Sequence, residues 1–292
     1  MPRIITLSVD RWAPTNCAPD VVECAAESLE QGNILFFPHL GFQLGAAEQA
    51  FLSPETAGKS KNVSWDGVAG RLRGSNVDPA LQPLLQGMMQ RFAAAGESLL
   101  RALFPAYPGA LVTSRTSFRA VEVAGRSTSW RKDDTRLHVD SFPSTPVQGK
   151  RILRLFSNVN PNGQARSWRF GGSFEAVAER FLPTLTAPPR GSARLLQWCS
   201  VTRGYRTAYD HYMLQLHDRM KADGAYQSSP DVTGYDFPPQ STWLVFTDQV
   251  PHAVVRGQYL LEQTFYVPVD AMRDPERAPL RTLERLLARP LT

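Results

Sequence analysis

What most limits the fold of this chain is a change of texture after Pro105, where helical spacing gives way to short β-rich runs. Residues 110–123, 151–159, 193–201, 241–247 and 259–267 are such runs, joined by Gly, Pro and Asn turns. Ahead of them lie two helical patterns. In 19–31 the apolar positions Val21, Val22, Ala25, Ala26 and Leu29 recur at helical spacing, and Gly32 supplies the stop. The short apolar run 33–37, ended by Pro38, then predicts a buried strand. A second helix over 79–103 carries an apolar face that includes Leu85, Met88, Met89, Phe92, Leu99 and Leu103. Between these, 53–77 is rich in Ser, Gly, Asn and Lys and reads as a long surface loop. Helices followed by a series of short strands predict an α+β domain, with helices buttressing one outer face of a β-sandwich or jelly roll.

A chain of 292 residues buries a full core, and one domain fits it better than two unequal ones. Its parts are a helix-and-strand elaboration (1–109), a β core (110–270) and a C-terminal amphipathic helix (276–290). In that last segment Leu280, Leu283, Leu286 and Leu287 share a face flanked by Arg281, Arg285 and Arg289. This predicts a helix docked on the domain or on a second copy, with a helix resting on an anionic membrane surface as the alternative. The phosphate-cradling patterns G-x-G-x-x-G and G-x-x-x-x-G-K-[ST] are missing, which takes away the sequence support for a nucleotide fold. Three scattered cysteines, no leader-like N-terminus and no apolar run long enough to span a bilayer suggest a cytosolic protein. The net charge of +5 makes an anionic partner reasonable, but the basic residues are dispersed among acids, which argues against nucleic acid.

Only five histidines occur, so a functional pair can be sought almost exhaustively. His138 lies in Arg136-Leu137-His138-Val139-Asp140, where side chains two apart on an extended segment point to the same side. His252 follows the run Thr242-Trp243-Leu244-Val245-Phe246 and a turn ending in Pro251, and leads into another strand. Two imidazoles and one carboxylate on one face of an octahedron leave three positions open, the arrangement a non-haem iron needs to hold a chelating co-substrate and oxygen. His138, Asp140 and His252 are therefore the expected metal ligands. His211 and His217, six apart in a helix, do not fit a zinc pattern and read as structural, and His39 reads as a turn residue.

Three blocks carry a resemblance to a known family: LHVDSFPSTPVQGKRILRLFSNVNP (137–161), SWRFGGSFE (from Ser167), and FTDQVPHAVVRGQYLLEQTFYVPV (246–269). They resemble the Kdo 3-hydroxylases, which act on 3-deoxy-D-manno-octulosonic acid (Kdo) in the inner core of lipopolysaccharide. The resemblance implies a double-stranded β-helix (jelly roll, cupin-like) that uses Fe(II), 2-oxoglutarate and O2. It implies conversion of carbon 3 of Kdo, on a lipid A precursor, from methylene to carbinol, giving Ko, succinate and CO2. It also implies work at the cytoplasmic face of the bacterial inner membrane, with peripheral contact. Two other readings stay open at this point: a 2-oxoglutarate oxygenase acting on a protein or a small metabolite, and a non-catalytic β-barrel that binds a sugar acid.

Both the sugar and the co-substrate carry carboxylates, so the pocket needs fixed cationic forks. Members of the wider superfamily often place a basic residue ten positions after the second histidine; here that place is Glu262, followed by Gln263. The alternative is an arginine on the strand after the H-x-D motif, Arg154 or Arg151, which being three apart face opposite ways. Arg154 is preferred for 2-oxoglutarate, with Arg151 and Gln263 as further candidates. Arg119, Arg166 and Trp168 are then the expected substrate contacts, arginines for the carboxylate and an aromatic surface for the sugar ring.

Overall fold

The fold is that of a computed structural model, which describes residues 1–292 except 15, 16, 108, 127 and 230. In chain order its elements are β1 (Ile4–Thr6), α1 (Pro19–Glu30), β2 (Ile34–Phe37), β3 (Val63–Asp66), β4 (Arg71–Arg73), α2 (Gln82–Leu103) and β5 (Val112–Arg119). There follow β6 (Arg151–Asn158), β7 (Arg166–Phe170), α3 (Phe174–Phe181), α4 (Ser192–Trp198), α5 (Ala208–Ala222) and α6 (Gly224–Gln227). The last are β8 (Thr233–Phe237), β9 (Thr242–Phe246), β10 (His252–Arg256), β11 (Leu260–Val267) and α7 (Pro279–Leu287).

An eight-stranded sheet in the order β1-β2-β9-β6-β11-β5-β3-β4 lies opposite a three-stranded sheet, β10-β7-β8. The β1–β2 pair is parallel and the remaining pairs are antiparallel. This is the expected α+β jelly roll. Alternation along each strand divides the residues between two layers. On β6, Leu153 and Leu155 turn outward to α1 and α2, while Phe156 turns inward to Trp168, Phe237 and Trp243 between the sheets. Register carries the same parity across the sheet: Phe156 faces Trp243 and Arg154 faces Val245 on β9.

Helix α1 ends as its sequence predicts. Gly32 takes φ +80°, its N–H donates to Leu29 O, and the Asn33 N–H reaches back to Ser28 O, so two terminal carbonyls are satisfied and the chain turns into β2. Helix α2 lies close on the sheet because Gly96 carries no side chain; a Cβ there would stand 2.8 Å from Leu155 Cδ2. A third apolar cluster joins α3, α5 and α7 to Leu137, Val139 and Ala253. Leu280 and Leu283 are buried in it, with Leu286 and Leu287 packed against it, so α7 is the docked helix of the two alternatives. No helix among the described residues is long and apolar enough to cross a membrane.

Two expectations fail. The run 193–201 is not a strand: it contains α4, and Leu195, Trp198 and Val201 are exposed. The supposed loop 53–77 contains the β3–β4 hairpin, whose β3 extends the main sheet beyond β5.

Candidate active site

The H-x-D segment is stitched to the mouth of the smaller sheet. His138 N–H donates to His252 O at 3.0 Å, His252 N–H returns to His138 O at 2.9 Å, and Asp140 N–H donates to Thr247 O at 2.8 Å. Period two then turns Leu137 and Val139 into the helical cluster and sends His138 and Asp140 the other way. The potential ligand atoms of His138, Asp140 and His252 all lie within 4.8 Å of one another, and all three residues are buried.

Each imidazole is held by its far nitrogen. His138 Nδ1 lies 2.8 Å from Arg136 O, and His252 Nδ1 lies 2.9 Å from Val250 O. A carbonyl only accepts, so both Nδ1 atoms carry the proton and both Nε2 lone pairs are free. Burial, then the neighbouring His252, holds His138 well below the ordinary imidazole pKa, and burial lowers His252 as well. For Asp140 burial alone would raise the pKa, but Arg154 and the two histidines outweigh it and hold the carboxyl below its usual range. Two neutral imidazoles and a carboxylate result. Asp140 Oδ2 is a buried oxygen without a hydrogen bond; Arg154 Nε lies 3.1 Å away, but at an unsuitable angle. Two free nitrogen lone pairs and a carboxylate, gathered within 4.8 Å, fit a divalent transition metal with open coordination positions.

The ring of His252 is stacked on Trp168, centroids 5.2 Å apart and planes 20° apart, and Trp168 in turn packs edge-on against Phe156 at 4.9 Å. Trp168 is thus mainly a buried wall that fixes the imidazole, although it also lines the cavity.

Strand parity separates the arginines. Arg154 is on the inner face of β6, with Nη1 3.0 Å from Glu262 Oε1. Glu262, on the inner face of β11, also receives Arg119 Nε at 2.8 Å and Nη2 at 2.6 Å. Arg119 reaches Asp134 at 3.5 Å, and Asp134 pairs with Lys61. Charges therefore alternate from Asp140 through Arg154, Glu262, Arg119 and Asp134 to Lys61. Arg166, on β7, is different: it is buried, it donates to Gly257 O, and it has no carboxylate partner among the described residues. Burial, then Arg119, lowers its pKa to about 9, which still leaves it charged at neutral pH.

Arg151 and Gln263 do not belong to this pocket. Arg151 lies on the outer face of β6, its Nε 2.8 Å from Asp248 Oδ2 and its guanidinium 3.8 Å from the Phe246 ring centre. Gln263 points away from Glu262 and is held by Thr116 Oγ1 at 2.6 Å and Ser114 O at 3.1 Å. An odd separation from Arg154 and Glu262 puts both on the wrong side of the sheet.

The histidines line a cavity of about 240 Å³ whose wall carries seven basic side chains against two carboxylates. Arg119, Phe142 and Arg154 are shared with a larger cleft of about 610 Å³, walled by Ser64, Arg115, Ser117, Thr264 and Tyr266 and rimmed by Ser144 and Arg203. The larger space leads to the site; the smaller holds it. Lys61, Asp134, His217 and Lys221 also line the inner cavity, and the sequence alone did not single them out for it. His217 sets its ring against that of His138, centroids 5.2 Å apart, so it borders the site instead of serving only in its helix.

A jelly roll with two imidazoles and a carboxylate converging at its mouth defines the class, that of the non-haem iron oxygenases. The 3-deoxy-D-manno-oct-2-ulosonic acid (Kdo) hydroxylase model matches residues 12–290, and the chain belongs to that family. It is similar to KdoO, a Kdo hydroxylase and non-heme Fe(II) alphaketoglutarate dependent dioxygenase. The form of KdoO solved with alphaketoglutarate and Fe(III) is 46% identical, with a TM-score of 0.95 over 100% of this chain and 98% of that one. Its apo form is 47% identical, with a TM-score of 0.95 over 100% and 97% of the two chains. No curated protein matches the sequence.

Proposed function

We propose that this chain hydroxylates carbon 3 of a Kdo residue on a lipid A precursor, with Fe(II) held by His138, Asp140 and His252. The observation that carries this reading is the gathering of two imidazoles with free Nε2 lone pairs and one carboxylate, their ligand atoms within 4.8 Å of one another, at a buried point beside a cationic cavity. When bound, iron with 2-oxoglutarate and oxygen supplies the oxidising power that an unactivated methylene requires, since such a carbon offers neither an acidic proton nor a leaving group.

The chain's own residues bind and orient. Arg154, beside Asp140, is the fork for the distal carboxylate of 2-oxoglutarate. Arg166 receives the sugar carboxylate, because among the described residues it is the inner-face arginine without an ion pair, and Arg119 shares that role from across the cavity. Trp168 sets the His252 plane and closes the wall against water. The enzyme works in the cytoplasm, in peripheral contact with the inner membrane that holds its substrate.

The test is to incubate purified protein with Fe(II), 2-oxoglutarate, oxygen and a Kdo-bearing lipid A precursor. One oxygen atom added to Kdo, with succinate released in equal amount, is the expected result. Succinate without oxygenated Kdo would point to another substrate, and no succinate at all to a binding protein.

A further inference from the structure

The stretch that fails as a strand belongs to a long segment that is both basic and apolar on its outside. Between Phe181 and Tyr209 there is no acidic residue, but there are four arginines: Arg190, Arg194, Arg203 and Arg206. None of the four forms an ion pair among the described residues, whereas most arginines elsewhere on the surface do. Four of the ten exposed large apolar side chains among the described residues fall within 195–205: Leu195, Trp198 (83% exposed), Val201 and Tyr205. A fully presented indole with aliphatic neighbours costs solubility and is retained where something covers it.

The segment is also fixed in place. Buried Thr202 anchors it, Arg203 N–H donates to Ser144 O at 2.9 Å, and Arg206 donates to Pro143 O. Pro143, Ser144 and Arg203 rim the larger cleft that leads to Arg119 and Arg154. Whatever the segment rests on therefore lies at the mouth of the cleft. Unopposed arginines, an interfacial tryptophan and short aliphatic side chains match the headgroup layer of an anionic bilayer: guanidinium to phosphate, indole and leucine to the acyl boundary.

We propose that residues 190–206 form a membrane-docking surface, which seats the enzyme on anionic lipid with its cleft open to the bilayer. The assignment deepens the reading of a lipid-anchored substrate and rests on it for purpose. It displaces α7 as the contact, since the leucines of that helix are buried or packed.

Vesicle sedimentation of the full chain tests it without any turnover, so a failure of the catalytic reading would not disturb the result. Vesicles of phosphatidylethanolamine with an equal part of phosphatidylglycerol are compared with phosphatidylcholine alone. Wild type should sediment with the anionic vesicles, and less so as salt is raised. Arg190→Gln with Arg194→Gln should weaken binding about five-fold for each charge removed. Leu195→Ser with Trp198→Ser should weaken it about ten-fold or more, at an unchanged melting temperature because both side chains are exposed. Binding no tighter to anionic than to neutral vesicles, or variants that sediment like wild type, would overturn the assignment.

Discussion

Arg166→Met separates binding from stability, because it removes a buried cation that forms no ion pair among the described residues. Burial and Arg119 lower the Arg166 pKa from 12.5 to about 9, which at about 1.36 kcal/mol per pH unit places roughly 4–5 kcal/mol of penalty on the charged form. The Gly257 carbonyl and local relaxation offset part of this, and methionine leaves some space unfilled. The net gain in folding free energy should therefore be about 1–3 kcal/mol, a rise of roughly 2–5 °C in melting temperature for a chain of this length. Activity should move the other way. Loss of a buried fork to a carboxylate costs about 2–5 kcal/mol, so kcat/KM for the sugar substrate should fall by roughly 30- to 5,000-fold. The KM for 2-oxoglutarate should stay close to wild type. Thermal melts of the metal-free protein and succinate release against sugar concentration are the two assays. A melting temperature lowered by several degrees with sugar kinetics unchanged would show that Arg166 is a structural cation, and the charge argument would fail.

Glu262→Gln should destabilise the protein by about 3 kcal/mol, since it leaves Arg119 and Arg154 buried with one carboxylate neighbour each; a denaturant midpoint within error of wild type would contradict the alternating ladder. Arg151→Leu should lower stability by about 3 kcal/mol through the unpaired Asp248, yet leave the KM for 2-oxoglutarate of the folded fraction unchanged. A selective rise in that KM would return Arg151 to the pocket. Acid should weaken both fold and metal binding. The pKa of His138 and His252 is lower in the folded state than the ordinary 6.5, so the unfolded chain binds more protons as pH falls through 6.5 and stability is lost below it, while above it their contribution is fully present. Denaturation of His138→Gln should show a shallower loss between pH 6.5 and 5 than wild type (about one group's worth), and parallel curves would contradict the assignment.

Parity made much of the site legible in the sequence. Two residues apart on an extended segment meant one side for His138 and Asp140, and three apart meant opposite sides for Arg151 and Arg154; both follow from the pleat alone. The terminus of α1 was equally legible, because Gly32 takes the left-handed turn that few other residues adopt. What escaped depended on distant strands. Glu262 stood out as the wrong residue for a co-substrate contact, but only the β5–β11 register brings Arg119 beside it. Asp134 and Lys61 approach Arg119 from loops with no periodicity to read. The run at 193–201 misled because its apolar side chains face outward, so neither a strand's nor a helix's burial pattern governs them. Gln263, the residue after Glu262, lies on the opposite face of the strand from it, because successive side chains alternate.

Three side chains, far apart in the chain, should together hold one ferrous ion. Anaerobic calorimetric titration of metal-free protein with Fe(II), on wild type and on His138→Ala, Asp140→Ala and His252→Ala, decides whether they do. One iron should bind per wild-type chain, and each substitution should weaken binding by about 100-fold or more, since removing a ligand costs at least as much as removing its outer partner. Wild-type affinity in any one of the three would show that they do not.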